Sequence, residues 1–241
     1  MLREGSARID ELARTLDVSA MTVHRDLDAL AQQGWLTKIR GGATANPSAL
    51  VEAGVRDRAA ALHAEKIAIG AAAATLLRSG QTIFIDDSTT ALTLVPHLGD
   101  HAPITVATNF LPVITDLSGI PGVDAILLGG QYFPLQEACF GLQTAEAIRA
   151  LRADVLFTST TAVNQRACYD RSEITVLVKR AFMACAQRKV LLVDHAKFGR
   201  PSPHLLCAID DFDLVVTDDS IDSEDLAELK QLDVEVTVAE R

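Results

Sequence analysis

Residues 82–90 read Thr-Ile-Phe-Ile-Asp-Asp-Ser-Thr-Thr: an apolar run that ends abruptly at five polar side chains. The run is short enough for a buried strand, and the polar residues after it can cap a helix or hold an anion. A strand that passes through a short loop into a helix is the repeating unit of a parallel sheet. Ligands of such sheets bind beyond the carboxyl ends of the strands. This stretch therefore predicts both a fold and the place of a binding site.

The same alternation of apolar runs and helix-like stretches continues along the chain. Seven runs are predicted to be strands: Thr82–Ile85, Ile104–Ala107, Ala125–Leu128, Val155–Phe157, Val190–Val193, Leu214–Val216 and Val234–Val238. The predicted helices are Glu65–Arg78, Thr90–Leu98, Phe110–Leu117, Thr144–Leu151, Ile174–Ala186 and Ser223–Leu232. Unbroken apolar strands indicate a sheet that is covered on both faces. The fold class is therefore α/β, with a large Rossmann-like domain built on a mostly parallel sheet.

The first 46 residues carry a different pattern. Apolar residues recur at helical spacing from Ile9 to Leu16, and Ser19 is a good N-cap for a second helix. Two short helices joined by a turn form a helix-turn-helix. Further on, Gly41-Gly42 permits a tight hairpin bend. We predict an N-terminal winged helix-turn-helix at 1–46, a linker at 47–63, and the larger domain at 64–241.

The charge is unevenly distributed between these parts. The chain has 22 basic and 32 acidic residues, with a net charge of −10. Residues 1–46 hold six of each sign, so the remainder holds 16 basic and 26 acidic residues. An acidic body repels nucleic acid. Contact with DNA is therefore expected only through the N-terminal part.

Composition narrows the class of protein further. Apolar residues make up 49% of the chain, enough for a sizeable core, and no apolar run approaches the roughly 20 residues of a membrane span. Residues 1–6 contain no apolar signal core. The four cysteines are spaced 29, 17 and 22 residues apart, which fits neither a zinc site nor a small disulfide framework. We predict a cytoplasmic protein with no membrane partner, no cofactor and no metal.

The predicted DNA contacts lie at the start of the second helix and on the wing. A recognition helix presents its N-terminal residues to base edges, and cations on a wing suit phosphates or a minor groove. The candidates are Ser19, Met21, Thr22, His24, Arg25, Lys38, Arg40, Gly41 and Gly42. By spacing alone, an ordinary helical hairpin followed by a β-hairpin remains the alternative.

The predicted ligand contacts follow the strands. Hydroxyls at a helix start cradle anions, an asparagine reaches a ligand hydroxyl, and a lysine supplies a cation for a phosphate. The candidates are Asp86, Asp87, Ser88, Thr89, Thr90, Asn109 and Lys197, with a further hydroxyl-rich stretch at Thr158–Thr161. Together they describe a site for a polyol phosphate, although a capped helix start without a ligand is an alternative for the first loop.

Both halves of the chain resemble the DeoR family of bacterial transcription regulators. In the N-terminal part the matching motifs are Val18–Leu27 (VSAMTVHRDL), Gly34-Trp35-Leu36 and Arg40–Ala43 (RGGA). In the larger part they are Phe84–Thr90, Thr108-Asn109, Leu128–Gly130, Gly141, Lys179-Arg180 and Val193–Gly199, with a looser match at Arg58 and Lys66. The resemblance implies a winged helix joined to a domain similar in fold to ribose-5-phosphate isomerase that binds phosphorylated sugars. It implies a homodimer or larger oligomer that binds double-stranded operator DNA.

The chain departs from the family pattern in both halves. His24 replaces an arginine in the recognition helix, and Arg40 replaces a histidine on the wing. A fixed positive charge is therefore lost from the recognition helix and gained on the wing. In the larger domain the departures are Ser88, Ser159 and Ala162 in place of glycines, and Phe133 in place of a basic residue. Another small anion, or no ligand, therefore stays open beside a sugar phosphate. The family also has a full helix before Ser6–Leu16, so we expect that translation starts upstream and that Met1 is a misassigned initiator.

The sequence therefore predicts a DNA-binding repressor of carbohydrate-metabolism genes that a phosphorylated sugar releases, and not an enzyme. A regulator without a small-molecule effector is one alternative. A sugar-phosphate isomerase is another. It needs a carboxylate base and a lysine beside an enediolate, and Asp86, Asp87, Asp170, Glu173 and Lys197 are available for these roles. A third reading makes Cys139 and Cys168 low-pKa thiols that register oxidants, against the simpler reading of small apolar fillers.

Overall fold

The computed structural model describes residues 6–16, 18–32, 36–39, 41–45 and 54–241. The chain divides into two compact units, residues 1–53 and 54–241. Each unit is described separately below.

The first unit is a winged helix, as the sequence predicted. Its elements are β1 (Ser6–Arg8), α1 (Ile9–Leu16), α2 (Ala20–Gln32), β2 (Leu36–Ile39) and β3 (Gly42–Ala45). The strands form an antiparallel sheet in the order β1-β3-β2. The short strand β1 was not foreseen, because its three residues carry no strand signal and gain their partner only from the wing.

A small apolar cluster joins the helices to the wing. Ile9, Val23, Leu27 and Ala43 are buried together. Ser19 caps α2 as predicted, since its hydroxyl accepts a hydrogen bond from the Thr22 amide at 3.1 Å. Of the apolar residues at helical spacing in α1, Ile9 is buried but Leu16 is not. This residue is the last of α1, where the helix ends, and its side chain is exposed.

The second unit is built on a sheet of seven parallel strands. Their order is β15-β14-β12-β9-β4-β5-β6. The strands are β4 (Thr82–Ile85), β5 (Ile104–Thr108), β6 (Val123–Leu127), β9 (Ala153–Thr158), β12 (Ala186–Leu192), β14 (Leu214–Asp218) and β15 (Glu235–Ala239). Each corresponds to one predicted strand, which confirms the α/β class.

Both faces of this sheet are covered, because alternate residues of a strand enter different apolar clusters. In β12, Val190 and Leu192 belong to the main core with Phe84 and Phe182, whereas Leu191 packs in a second cluster with Val215. The α-helices are α3 (Val55–Ala60), α4 (His63–Ala74), α5 (Leu111–Leu117), α6 (Leu142–Arg149), α7 (Glu173–Cys185) and α8 (Ser223–Leu229). In the part of the chain that the structure describes, no helix is both long enough and apolar enough to cross a membrane.

Three further segments are 3-10 helices, at Ala91–His101, His195–Lys197 and Ile209–Asp211. The first of them corrects the prediction of a helix over Thr90–Leu98, which carried the α-helical spacing. Pro96 lies within it and cannot donate the backbone hydrogen bond that an α-helix interior needs.

Two small antiparallel sheets were not predicted. One is the hairpin of β7 (Gln131–Phe133) and β8 (Ala138–Phe140). The other orders β10 (Ala162–Asn164), β11 (Ala167–Asp170) and β13 (His204–Ala208) side by side. Strands of three to five residues are too short for their alternation to stand out in a sequence.

Gly70 of α4 marks the close approach of this helix to the first 3-10 helix. A Cβ at this position would lie 2.2 Å from the Thr93 hydroxyl oxygen and 2.9 Å from its carbonyl oxygen. We expect Gly70→Ala to lower the free energy of unfolding by about 1–3 kcal/mol, since the two segments must separate. Urea unfolding followed by circular dichroism measures this. Gly129→Ala is the control, because a Cβ there meets no atom within 4 Å; equal stability of both variants would refute the close contact.

Candidate functional site

The polar loops that follow β4, β9 and β12 meet at one edge of the sheet, because these three strands are neighbours and parallel. The β4 loop contains Asp86–Thr90, the β9 loop Ser159–Thr161, and the β12 loop Asp194–Gly199. Residues 86–90 and 158–160 are all buried. The structure therefore brings together the segments that the sequence singled out.

Asp86 fastens the first two of these loops to each other. Its side chain is fully buried, and Oδ1 accepts a hydrogen bond from the Ser88 amide at 3.1 Å. Its Oδ2 accepts from the Thr158 hydroxyl at 2.5 Å and from the Ser159 amide at 3.1 Å. Through these hydrogen bonds Asp86 holds the β4 loop and the β9 loop in fixed positions relative to each other.

Lys179 of α7 is buried among three carboxylates. Its Nζ lies 2.5 Å from Asp86, 3.8 Å from Asp170 and 3.9 Å from Asp87. It also donates to the Ser159 carbonyl at 2.7 Å. Burial acts to lower the pKa of Lys179, but the carboxylates outweigh it and hold the pKa above its usual value. Burial likewise acts to raise the pKa of Asp86, whereas Lys179 and the hydrogen bonds bring it below its usual value. This side of the site is a charged layer with an excess of carboxylates.

Cations crowd the adjoining part of the site. Lys66 of α4 donates to the Thr89 hydroxyl at 3.2 Å and to the Arg58 carbonyl. Burial lowers the pKa of Lys66 to about 8, with Lys197 and Arg58 adding to the effect against the attraction of Asp194. The pKa of Lys197 is lowered as well, by burial and by the charges of two nearby arginines, again against Asp194. Each cation makes the charged form of its neighbours less favourable, so a bound anion would stabilise the charged forms of the group.

The arginines of this group are Arg58, Arg171 and Arg200. Burial, together with the charges of Arg58 and Arg200, lowers the pKa of Arg171. Arg58 donates a hydrogen bond to the Asp87 carbonyl at 3.4 Å. These residues lie on three separate segments, so only the fold assembles them. The loose family match at Arg58 and Lys66 was the indication in the sequence that these arginines belong to the site. In the structure, Lys66 donates a hydrogen bond to the Arg58 carbonyl.

Several buried polar atoms of the second unit have no hydrogen-bond partner within the described ranges. At the site they are Arg58 Nη2, Asp87 Oδ1, Asp170 Oδ2, Asp194 Oδ1 and Asn109 Oδ1. Leaving such an atom unpaired costs about 1–3 kcal/mol, more for a charged group. A ligand with hydroxyl and anionic groups can satisfy both the donor and the acceptors.

The remaining sequence-predicted residues have clear structural roles. The Ser88 hydroxyl accepts from the Ala91 amide at 3.0 Å, so the serine that replaces a family glycine caps the first 3-10 helix. Asn109 is fully buried after β5, and its Nδ2 donates to the Cys139 carbonyl at 2.9 Å, which anchors β8. Thr89 and Thr90 are buried at the start of the 3-10 helix.

Asp218 fixes the turn that carries Lys197. One of its oxygens accepts from the His195 amide at 2.7 Å, and the other lies 2.8 Å from His195 Nδ1. Phe133, the departure near the glycine pair, packs edge-on against Phe140 with ring centroids 5.4 Å apart. It therefore stabilises the hairpin of β7 and β8.

A separate cavity of about 630 Å³ lies at the other end of the strands, near the starts of β14 and β15. Its lining includes Asp210, Asp211, Asp213, Asp233 and Glu235. This concentration of carboxylates repels an anion, so the strand-end loops remain the candidate site.

The reading of Cys139 and Cys168 as low-pKa thiols is wrong. Both residues are buried, and burial raises the pKa of Cys139. A hydrogen bond with the Cys207 side chain, together with burial, raises the pKa of Cys168 well above its usual value. Their environment lacks the dominant nearby cation that a reactive thiolate needs.

The predicted DNA contacts on α2 lie on its outer side. Met21 is 80% exposed, and His24 and Arg25 are exposed as well. The Arg25 side chain is 82% exposed and only 3.9 Å from Asp26. Ser19 and Thr22 form the cap of the helix.

On the wing, the two glycines are explained by geometry. Gly41 adopts a φ of +78°, and a Cβ on Gly42 would lie 2.4 Å from the Ala7 carbonyl oxygen. Lys38 belongs to β2. Its side chain and the whole of Arg40 lie outside the described part of the chain.

A winged helix carried in one chain with an α/β sensor domain defines a DNA-binding transcription regulator. Residues 1–49 match the model of the DeoR-like helix-turn-helix domain, and residues 62–219 match that of the DeoR C terminal sensor domain. The chain therefore belongs to the DeoR family.

Curated relatives match nearly the whole chain. The lactose phosphotransferase system repressor of Lactococcus lactis subsp. lactis is 33% identical over 231 residues, which is 95% of this chain and 91% of that protein. The HTH-type transcriptional regulator GolR of Listeria innocua is 31% identical, over 96% of this chain and 92% of that protein. Among solved structures, ribose 5-phosphate isomerase A from Methanocaldococcus jannaschii superposes with a TM-score of 0.39 and 13% identity, covering 55% of this chain and 53% of that one.

The buried carboxyl group of Asp87 makes the free energy of unfolding depend on pH. Burial, opposed by the charge of Lys179, raises the pKa of Asp87 from 3.8 to about 6. The folded chain thus binds this proton more tightly than the unfolded chain, so Asp87 destabilises the fold as the pH rises from about 4 to above 6, by about 3 kcal/mol in full. We expect Asp87→Asn to gain stability relative to the parent over that range, measured by urea unfolding at pH 5 and pH 7.5. Asp124→Asn, an exposed position on β6, should show no such trend; parallel profiles for all three proteins would contradict the assignment.

Proposed function

We propose that this regulator represses carbohydrate-metabolism genes by binding operator DNA, and that a phosphorylated sugar releases it. The DNA-binding part is residues 1–46 and the sensor is residues 64–241, joined by the segment 47–63. The observation that carries the proposal is the group of mutually repelling cations beside buried polar atoms that lack partners.

The chemistry of the site favours a ligand with one anionic end and several hydroxyls. A phosphate beside Lys66 and Lys197 restores the favourable charged form of both lysines. Asp87 Oδ1, Asp170 Oδ2 and Asn109 Oδ1 accept no hydrogen bond within the described residues, and they can accept hydrogen bonds from ligand hydroxyls. In this assignment the β4 loop contacts the ligand through Ser88, Thr89 and Thr90, and Asp86 holds that loop in place.

The names of two relatives describe repression. One is the lactose phosphotransferase system repressor, and another is a putative aga operon transcriptional repressor of Escherichia coli O157:H7, 27% identical over 97% of this chain. The first name refers to a lactose phosphotransferase system and the second to an operon. For the present chain the corresponding genes and effector follow by analogy.

DNA binding is assigned to the outer side of α2 and to the wing. The N-terminal residues of α2 reach base edges, while Arg25 and the cations Lys38 and Arg40 serve phosphates or the minor groove. One winged helix makes few contacts, so we propose a homodimer or larger oligomer in the cytoplasm that holds two operator repeats. The effector releases DNA only if it binds one arrangement of the two winged helices more tightly than the other.

A sugar-phosphate isomerase remains the alternative class. It needs a carboxylate that is free to accept a substrate proton, whereas Asp86 is fully buried and already accepts hydrogen bonds at both oxygens. The curated relatives named above are regulators. Turnover of aldose phosphates by the purified protein would favour the enzyme.

The direct test is fluorescence anisotropy of a labelled duplex from the region upstream of this gene. Protein is titrated into the duplex with and without a pool of sugar phosphates. Submicromolar binding that the pool weakens supports the proposal, and fractionation of the pool then identifies the effector. Binding that ignores the pool indicates a regulator without such an effector, and it contradicts the sensor assignment.

Arg25→Ala tests the DNA-binding surface. If Arg25 neutralises one phosphate, its loss weakens binding and reduces the slope of log K against log salt concentration by about one unit. Anisotropy titrations at several salt concentrations measure both quantities. Arg14→Ala is the matched control, since Arg14 lies on α1 and its Nε donates to the Asp10 carbonyl. An unchanged affinity for Arg25→Ala would remove this residue from the interface.

Lys197→Met tests the sensor site. The loss of this half-buried cation from the proposed phosphate subsite should raise the sugar-phosphate concentration for half-release of DNA about tenfold or more, which corresponds to about 1.4 kcal/mol. DNA affinity without the ligand should stay within threefold. Lys189→Met is the control, because Lys189 lies at the acidic cavity at the other end of the strands. Equal release midpoints for the parent and Lys197→Met would refute the role of this lysine.

A further inference from the structure

Two of the four cysteines face each other across a pair of strands. In the antiparallel pairing of β11 with β13, Cys168 is directly opposite Cys207. Residues opposite each other in such a pair point to the same face, with Cα atoms about 4.5–5.5 Å apart. A disulfide bridges Cα atoms about 4.4–6.8 Å apart. The backbone therefore already places the two thiols at bonding range.

The two thiols differ in access. Cys168 is fully buried in the second apolar cluster, whereas Cys207 is half-buried on β13, an edge strand of its sheet. The Cys207 side chain and burial together raise the pKa of Cys168. A small oxidant therefore reaches Cys207 before Cys168.

The other cysteines lack this arrangement. Cys139 lies opposite Tyr132 in the β7–β8 hairpin. Cys185 is the last residue of α7, and its sulfur is 3.7 Å from Arg152 Nη1. Both are buried.

We propose that Cys168 and Cys207 are an oxidisable pair that closes to an intramolecular disulfide in the folded protein, with hydrogen peroxide as the oxidant. The Cys207 thiol loses its proton to solvent, and the thiolate attacks one peroxide oxygen. The O–O bond breaks, Cys207 becomes a sulfenic acid, and the departing hydroxide takes up a proton from solvent and leaves as water. The Cys168 sulfur then attacks the Cys207 sulfur, and its proton leaves with the hydroxyl group as a second water. Two thiols and one peroxide thus give one disulfide and two waters, with two electrons passing from sulfur to oxygen.

The position of this pair connects it to the candidate site. Cys168 is two residues before Asp170, whose Oδ1 accepts from the Thr161 hydroxyl at 2.7 Å and whose Oδ2 faces Lys179 at 3.8 Å. The pairing of β11 with β13 is irregular between Cys168 and Tyr169, where a local shift is easily absorbed. A bond of about 2.05 Å between the sulfurs fixes the two side chains and with them the pairing of the strands at that point. In a reducing compartment such a bond is transient, which is typical of redox sensing.

The test uses the full-length protein, reduced and then treated with one and ten equivalents of hydrogen peroxide. Remaining thiols are blocked with N-ethylmaleimide, and intact mass and peptide mapping follow. We expect two of the four thiols to be lost, a mass decrease of two hydrogens before blocking, and a cross-linked Cys168–Cys207 peptide that dithiothreitol releases. Four blocked thiols after peroxide, or a disulfide between chains, would overturn the proposal. The readout is independent of DNA and effector, so it fails or succeeds separately from the proposed function.

Variants separate the two roles. Cys168→Ala should stop the reaction at the Cys207 sulfenic acid, which dimedone traps, and Cys207→Ser should leave Cys168 reduced. Cys185→Ala is the control and should retain the cross-link. Because Cys168 is buried, thermal unfolding checks that variant, and the half-exposed Cys207→Ser carries the test if it does not fold. Loss of two thiols in Cys207→Ser would overturn the assignment.

Discussion

The ion cluster of Lys179 with Asp86, Asp87 and Asp170 is the constraint on which the sensor domain depends. It joins α7 to the loops after β4 and β9 and to the end of β11, which are distant in the sequence. Removing Lys179 would leave these carboxylates without their cation, and the loss of one partner of a buried ion pair typically costs about 3–5 kcal/mol. The loops therefore hold their shape as one unit, and their polar atoms keep fixed positions for a ligand.

The site combines this carboxylate-rich layer with neighbouring cations. Burial lowers the pKa of Lys66 and of Lys197, neighbouring cations add to the effect, and Asp194 compensates only in part. An anion with hydroxyl groups, the ligand class proposed above, would complement both kinds of charge at once.

Two departures from the family pattern have structural reasons. Ser88 uses its hydroxyl to cap the first 3-10 helix, and Phe133 packs on Phe140 within a hairpin. Ser159 contacts Asp86 and Lys179 through its backbone amide and carbonyl, which a glycine would also supply, so these contacts do not explain that substitution. In the winged helix, the family glycine Gly42 allows the backbone of β3 to approach Ala7 more closely than any side chain permits.

The sequence by itself determined the seven parallel strands, the helix-turn-helix with its Ser19 cap, and the loops that hold the candidate site. These features depend on local signals: apolar runs of strand length, capping side chains and glycines at bends. The tertiary structure alone decided which charges meet. Lys179 and Asp170 enter the site because α7 and β11 pack beside the loop of β4, and Cys168 meets Cys207 because β13 pairs with β11. Such contacts join residues tens of positions apart, and strand order and register, which no local pattern specifies, determine them.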